Sequence, residues 1–513
     1  MLMFFVRRLL TSSLVVLVST LVMYLLVDFA IDPLADLRTS TAPNKQQLID
    51  NRIAMLDLDQ PVLSRYWDWL TGVGHCFVGD CRLGTDWRSN EQVTDQLGGA
   101  VVTTLQLVTA ATVLAIVIGV LAGVVSALRQ YTGFDYSLTF LSFLFYSLPI
   151  FWVAVLLKQW GAIQFNTFLA DPGIPLWFYV LAVTLVALTA TGAIGGSLQT
   201  RLKTVLAAGG AALAVLVYID VTGWLTDPRM GPVLYAASAI GWALVMTTLS
   251  TGLKERRSLY AALTVAGIGI ALYYPILYVW YYLEETWPIV LGLGLLAVLV
   301  GGTVGRLWGG PDPWRNARTA ALTAVPVSGF LVWEKLLMTW EDYTNHGLIR
   351  GRPIATFSRS TPNLDGDFWI ETTDLFTHLI LPTLALILIS LAQYTRYSRA
   401  STLEVLNQDY IRTARAKGLT ERTVVMRHAF RNALIPLASI IPVDIITLLG
   451  GAVITESIFS WYGMGRLFVQ SLGNNVIDPV MAYLLIAAIL AVVANFVADL
   501  VYAVLDPRIR VNA

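Results

Sequence analysis

Charge is what this 513-residue sequence has least of: 13% of its residues are Asp, Glu, Lys or Arg, while 56% are hydrophobic. A soluble globular domain carries roughly a quarter charged residues, so a water-soluble globular enzyme is excluded for the chain as a whole. The mean hydropathy of +0.66 and repeated apolar runs of about 20 residues indicate an all-α polytopic membrane protein. Net charge is zero; the charges are segregated by side of the membrane, and no nucleic-acid partner is expected. Cysteine is nearly absent. Cys76 and Cys81 are the two present; they sit in a polar segment, as a candidate disulfide in an oxidising compartment or as two free thiols. With His75 they fall short of a structural zinc set, so no metal site is expected. No G-x-x-x-x-G-K-[ST] phosphate loop occurs, so the chain is not expected to hydrolyse ATP itself. No internal repeat of the kind secondary carriers show is visible.

What is present is a succession of membrane-length segments. Arg7 and Arg8 precede an apolar run from Leu9 to Val27, and Asp28, Asp32 and Pro33 follow it. Without a small-residue cleavage site this reads as a retained helix over about Leu9 to Phe29 rather than a signal peptide. A polar segment follows at 32–96, then helices at about 100–128 and 136–157. The last carries Pro149 at its midpoint, where proline bends a helix. Six further apolar segments lie near 176–194, 204–225, 231–250, 259–283, 288–305 and 319–340. Their connectors alternate in sign: Arg201 and Lys203, then Asp220 and Asp227, then Lys254, Arg256 and Arg257, then Glu284 and Glu285, then Arg306, Arg315 and Arg318, then Glu341 and Asp342. Positive loops belong in the cytoplasm. After a polar stretch at 345–377 come helices near 378–393, 434–454 and 480–505, giving about twelve spans with both termini cytoplasmic.

The densest charge lies between two of those spans, at 394–436. Asp409 to Lys417 forms a helix that Gly418 terminates in the left-handed region. Thr420 suits the N-cap of a second short helix from Glu421 to about Arg431. The hairpin exposes Arg412, Arg415, Lys417, Arg422, Arg427 and Arg431. The plain reading is a solvated positive loop, but the segment is longer and more structured than topology requires. Within the spans, Asp444 near Pro442 either faces a path or bonds a neighbouring helix. Lys158 and Glu334 lie nearer span ends, where snorkelling is expected. His378 reads as structural, and Gly450–Gly451 as a site of close packing.

DYIRTARAKGL followed by RHAFRNALIP (within 409–436) resembles the cytoplasmic EAA loop of ABC importer permeases, in the dipeptide/oligopeptide and nickel subfamily. Arg412, Thr413 and Ala414 occupy the Glu-Ala-Ala positions, and Gly418 is the matching glycine. The Ile-x-Leu-Pro ending of the broader family is out of register: His428, Phe430 and Arg431 stand there, a departure that argues against a sugar-type permease. FFVRRLL at 4–10, SLPIFW at 147–152, TESIFSW with Gly463 and Gly465-Arg466-Leu467, and Asp499 with Asp506-Pro507-Arg508-Ile509-Arg510 resemble other subfamily motifs.

The resemblance covers about 1–160 and 375–510. It implies a type I importer core of about six helices, made of 1–160 (with the outer segment 32–96) and 375–513. A bundle of about six helices is inserted at 165–370 and expected to pack outside the core. It implies a non-catalytic permease of an ATP-driven importer of dipeptides or oligopeptides in a prokaryotic plasma membrane. Nickel or another small solute is the alternative cargo; a secondary transporter and a sensor built on a permease core are the readings from other classes. The implied partners are a second permease, two ABC ATPase subunits that bind the ATP and magnesium, an extracytoplasmic solute-binding protein and the lipid bilayer. The implied ATPase-coupling residues are Asp409, Tyr410, Arg412, Thr413, Ala414, Arg415, Lys417, Gly418, Glu421, Arg427, His428 and Arg431. Candidates for the translocation path are Pro149, Phe151, Trp152 and Asp444.

Overall fold

The computed structural model describes residues 2–283, 285–310 and 312–505. The motif at 506–510 lies outside the described residues, as do the side chains of Arg422, Arg427 and Asp499 and the packing around Gly450 and Gly451. Helix α1 (Leu2–Ala30) leads into a polar segment that holds α2 (Val62–His75) and a two-stranded ribbon pairing Thr85 with Gln92. Then come α3 (Val93–Leu128), α4 (Gly133–Ser147) and α5 (Ile150–Ala170). Six helices follow: α6 (Leu176–Ile194), α7 (Leu198–Thr222), α8 (Gly231–Ser250), α9 (Arg256–Tyr282), α10 (Trp287–Leu307) and α11 (Pro313–Met338). The chain closes with α12 (Phe368–Leu406), α13 (Asp409–Ala416), α14 (Ile435–Ile458), α15 (Met464–Gly473) and α16 (Ile477–Leu505).

Among the described residues nine helices are long and apolar enough to cross a membrane, or ten if α4 and α5 are one bent span. Two of the twelve expected spans stand outside that count. The apolar part of α6 is short, Leu176–Gly192, and the centre of α14 carries side chains outside the described residues.

Small residues organise the core. Ala111, Ala115, Gly119 and Gly123 recur every four residues on one face of α3, which packs more extensively on α12 than any other helix pair packs. A Cβ on Gly119 would stand 2.7 Å from that of Tyr394, and one on Gly123 2.5 Å from the Thr395 carbonyl oxygen. Removing the side chain lets the two backbones approach, which is how helices associate in lipid without a hydrophobic driving force. Gly301 and Gly305 of α10 meet α11 in the same way. The described face of the molecule that carries α13 is called here the hairpin side, and the opposite one, with α2 and α15, the far side.

The third helix departs from expectation. Instead of one bent helix over 136–157, α4 ends at Ser147 and α5 leaves at 102° to it. Leu148 (ψ 130°) and Pro149 (ψ 136°) are both extended. A residue before proline is pushed out of the helical region, so the helix stops here rather than kinking. Lys158 lies in a π-helical turn, Leu157–Gln164, and its Nζ donates to the Ile458 carbonyl at 2.9 Å. It ties α5 to the end of α14 and does not snorkel.

The inserted helices form two units. The α6–α7 hairpin leans on α4, where Gly133 and Gly192 approach each other. The four helices α8–α11 meet the core at the start of α12, with the rings of Trp280 and Trp369 5.2 Å apart. Glu334 also departs from the snorkelling expectation. It is buried, and its carboxylate accepts from the backbone N–H of Met230 (2.8 Å) and Gly231 (3.1 Å) and from Tyr273 OH (2.6 Å). It satisfies donors at the start of α8 that have no partner within that helix. Ion pairs join connectors on the same face: Arg229 to Glu341 on the far side, Arg315 to Glu255 on the hairpin side.

Candidate coupling site

Helix α12 has 39 residues, about 58 Å at the helical rise, roughly twice the hydrocarbon thickness of a bilayer. It therefore runs as one unbroken helix, with Pro382 inside it, from the far side out to α13. The sharp turn after it is made at Asn407 and Gln408. Spacing then decides which face of α13 is seated. Ile411 and Ala414 turn inward and are buried with Val405, Leu406, Val424 and Ala429. Asp409, Tyr410, Arg412, Thr413, Arg415 and Lys417 remain exposed. Ala414 is thus part of the seat, whereas its neighbours form the free face.

The turn behaves as its residues require. Gly418 has φ +76°, a region that glycine enters without the strain a Cβ brings, and its N–H donates to the Arg415 carbonyl at 2.9 Å. A Cβ built there would meet nothing of this chain within 4 Å. Thr420 caps the next turn through Thr423 N–H at 3.4 Å. Residues 421–433 continue as helical turns, π-wound at Val424–Ala429, rather than as one regular α-helix. Arg415 grips Glu421 with two hydrogen bonds, 2.6 and 3.1 Å, and the guanidinium holds the Glu421 carboxyl below its usual range. Asn432 donates to Tyr410 OH at 2.8 Å, and Ser401 to the Ala433 carbonyl at 2.8 Å. The return strand of the hairpin is therefore fastened to both α13 and α12. His428 is half-buried and Arg431 exposed.

A second fastening was not anticipated. Arg399, two turns before the end of α12, pairs with Asp135 at 2.7 and 3.0 Å. Asp135 also accepts from Ser126 Oγ and the Tyr131 N–H. The α3–α4 turn is thereby locked to the root of the hairpin. The available signal was a lone acid in a short connector beside Arg129.

The candidate path residues lie at the start of α5 and on α14, two helices that pack against each other. Pro149 starts α5, and Phe151 and Trp152 are 53% and 46% exposed. Asp444 is half-buried and accepts from Gln393 Nε2 at 3.2 and 3.3 Å, which bonds it to the neighbouring helix α12. Glu456, the carboxylate of the TESIFSW stretch, is fully buried on the far side. It accepts from Thr104 Oγ1 at 2.6 Å and the Arg466 N–H at 3.0 Å, while Thr104 Oγ1 accepts from Met464 N–H. This pins α3, α14 and the start of α15 together. Cys76 and Cys81 are joined as a disulfide.

Two family models match the chain. Residues 344–511 match the binding-protein-dependent transport system inner membrane component, and residues 1–108 match the N-terminal part of the binding-protein-dependent transport system membrane component. The oligopeptide transport system permease protein OppB of Mycobacterium tuberculosis is 34% identical over 239 residues, 43% of this chain and 71% of that protein. The di/tripeptide transport system permease protein DppB of Pseudomonas aeruginosa is 35% identical over 248 residues, 45% of this chain and 73% of its own length. The oligopeptide transport system permease protein AppB of Bacillus subtilis is 48% identical over 137 residues; there the match spans 27% of this chain and 43% of the relative.

Proposed function

The chain belongs to the binding-protein-dependent transport system inner membrane components, and from that premise we propose that it is a permease subunit of an ATP-driven importer of dipeptides or oligopeptides. The observation that carries the reading is the hairpin. A short helix with a seated apolar face and a free charged face follows a continuous helix that reaches the far side. A push on α13 is therefore delivered to α12 and, through Arg399 and Asp135, to the α3–α4 turn.

In this reading α13 docks on a separate ABC ATPase, one of two, which binds ATP and magnesium. The exposed Arg412, Arg415 and Lys417 suit an acidic rim there. The hairpin side faces the cytoplasm, in keeping with its positive connectors. The exposed apolar faces of α4 and α5, with Phe151 and Trp152, are available to a second, non-identical permease, and the two chains form the path between them. The far-side segments 32–96 and 456–479 receive the solute-binding protein. The insert stays outside the path.

Gly418 offers the test. Asn tolerates the left-handed backbone, so Gly418→Asn adds bulk at a position where a Cβ meets no atom of this chain within 4 Å. We expect it to lower both ATPase co-purification and ATP-dependent peptide uptake while the chain still accumulates in the membrane. Unimpaired uptake, with no ATPase co-purifying with the unaltered chain, overturns the reading.

A further inference from the structure

Helix α2 presents three stripes rather than two. Val62, Tyr66, Trp69, Val73 and Cys76 turn toward the core, with Tyr66 and Trp69 buried. Ser64, Asp68, Thr71 and His75 form an exposed polar stripe. Leu63 and Trp67, each 63% exposed, form a third, apolar one, which Phe77 (94% exposed) extends in the turn Cys76–Val78, while half-buried Leu70 beside it packs against the core. At 3.6 residues per turn these stripes are centred roughly 0°, 210° and 100° around the axis. A helix at a protein–water boundary needs only the first two.

The depth of α2 explains the third. Tyr66 OH donates to the Leu17 carbonyl at 3.2 Å and lies 3.1 Å from Thr20 Oγ1. Leu17 is in the middle of the apolar run of α1, about 18 Å below Phe29 at the helical rise. One tyrosine side chain therefore connects α2 to the interior of the hydrocarbon. Arg65, next to Tyr66, turns the other way to Asp28 at the far-side end of α1, 2.9 Å away. Helix α1, to which α2 is tied, itself exposes Leu14, Val18, Val22 and Leu26, a face that a spanning helix offers to lipid. Beyond α2 the disulfide closes a six-residue loop whose tip exposes Phe77 and Val78, with Gly79 left-handed at φ +89°.

We propose that α2 and the disulfide-closed tip lie in the far-side leaflet as a membrane-interfacial element. Phospholipid covers Leu63, Trp67 and Phe77, and water covers Ser64, Asp68, Thr71 and His75. Such an element has the amphipathic form of helices that lie in the interface plane. It fixes how deep α1 sits and keeps the polar segment 32–96 close to the bilayer.

The test needs no transport. A benzophenone side chain is placed at position 67 or 77, or at 64 or 71, in the full chain held in nanodiscs of phosphatidylethanolamine and phosphatidylglycerol with its co-purified partners. After illumination, phospholipid adducts several-fold more abundant at 67 and 77 than at 64 and 71 are the expected result. Protein adducts at 67 and 77, equal lipid yields at all four positions, or no lipid adduct at 67 and 77 overturn the proposal. If a substituted chain does not accumulate, positions 63 and 78 replace 67 and 77. Reducing the disulfide should lower the adduct at 77 and leave that at 67; an unchanged yield at 77 overturns the role given to the disulfide.

Discussion

Glu456 shows what single residues do in this protein. Its carboxylate serves Thr104 and the first turn of α15 at once, and a buried acceptor removed from its donors costs more than the bond is worth. Glu456→Ala should lower stability by about 2 kcal/mol, measured by thermal unfolding in detergent. Glu456→Gln, which keeps one carbonyl oxygen, should cost less. Arg415 and Glu421 make a weaker case because both are exposed, and exposed pairs contribute roughly 0.2–1 kcal/mol. The Glu421 pKa is lowered from 4.5 in the folded chain. The contribution is therefore complete above pH 4.5 and is lost as the pH falls through the lowered folded value. Protection of the amides across 409–423, taken relative to the intrinsic exchange rate at each pH, should fall over that acidic window, and in Glu421→Gln it should already be low at neutral pH.

At the scale of elements, the ranges of the inserted helices were legible because hydropathy and length are local properties. The segment expected at 231–250 is α8, with the same bounds. The Gly418 turn and the Thr420 cap were equally local. Glu334, Lys158 and Asp135 were not legible in the same way. Each is satisfied by a partner distant in sequence, and a residue near a span end looks the same whether it snorkels or caps another helix. Pro149 announced a bend, but the break came from two consecutive extended residues. The α3–α12 seam gives a test at this scale. Gly123→Val must displace Thr395 and Ser398 and should destabilise by about 1–3 kcal/mol, as overpacking does. Gly302→Ala, where a Cβ meets nothing, should instead stabilise by roughly 0.5–1 kcal/mol. Thermal unfolding of both variants in the same detergent checks the contrast.

At the scale of the molecule, α12 unites far side and hairpin side, while among the described residues the two units of the insert pack on the core at α4 and at the start of α12. A coupling function therefore rests on the free face of α13 and on the continuity of α12. Ile411→Asp would unseat α13 and disturb the fold, so it cannot isolate docking. Reversing the exposed charges can. The most direct measurement is ATP-driven uptake of a labelled dipeptide into vesicles, with ATPase co-purification measured in parallel, for the unaltered chain and for Arg412→Glu combined with Lys417→Glu. The result expected is a chain that still inserts and melts normally but retains no ATPase and imports no peptide above the level without ATP. Undiminished uptake and ATPase retention with both charges reversed would contradict coupling through this helix.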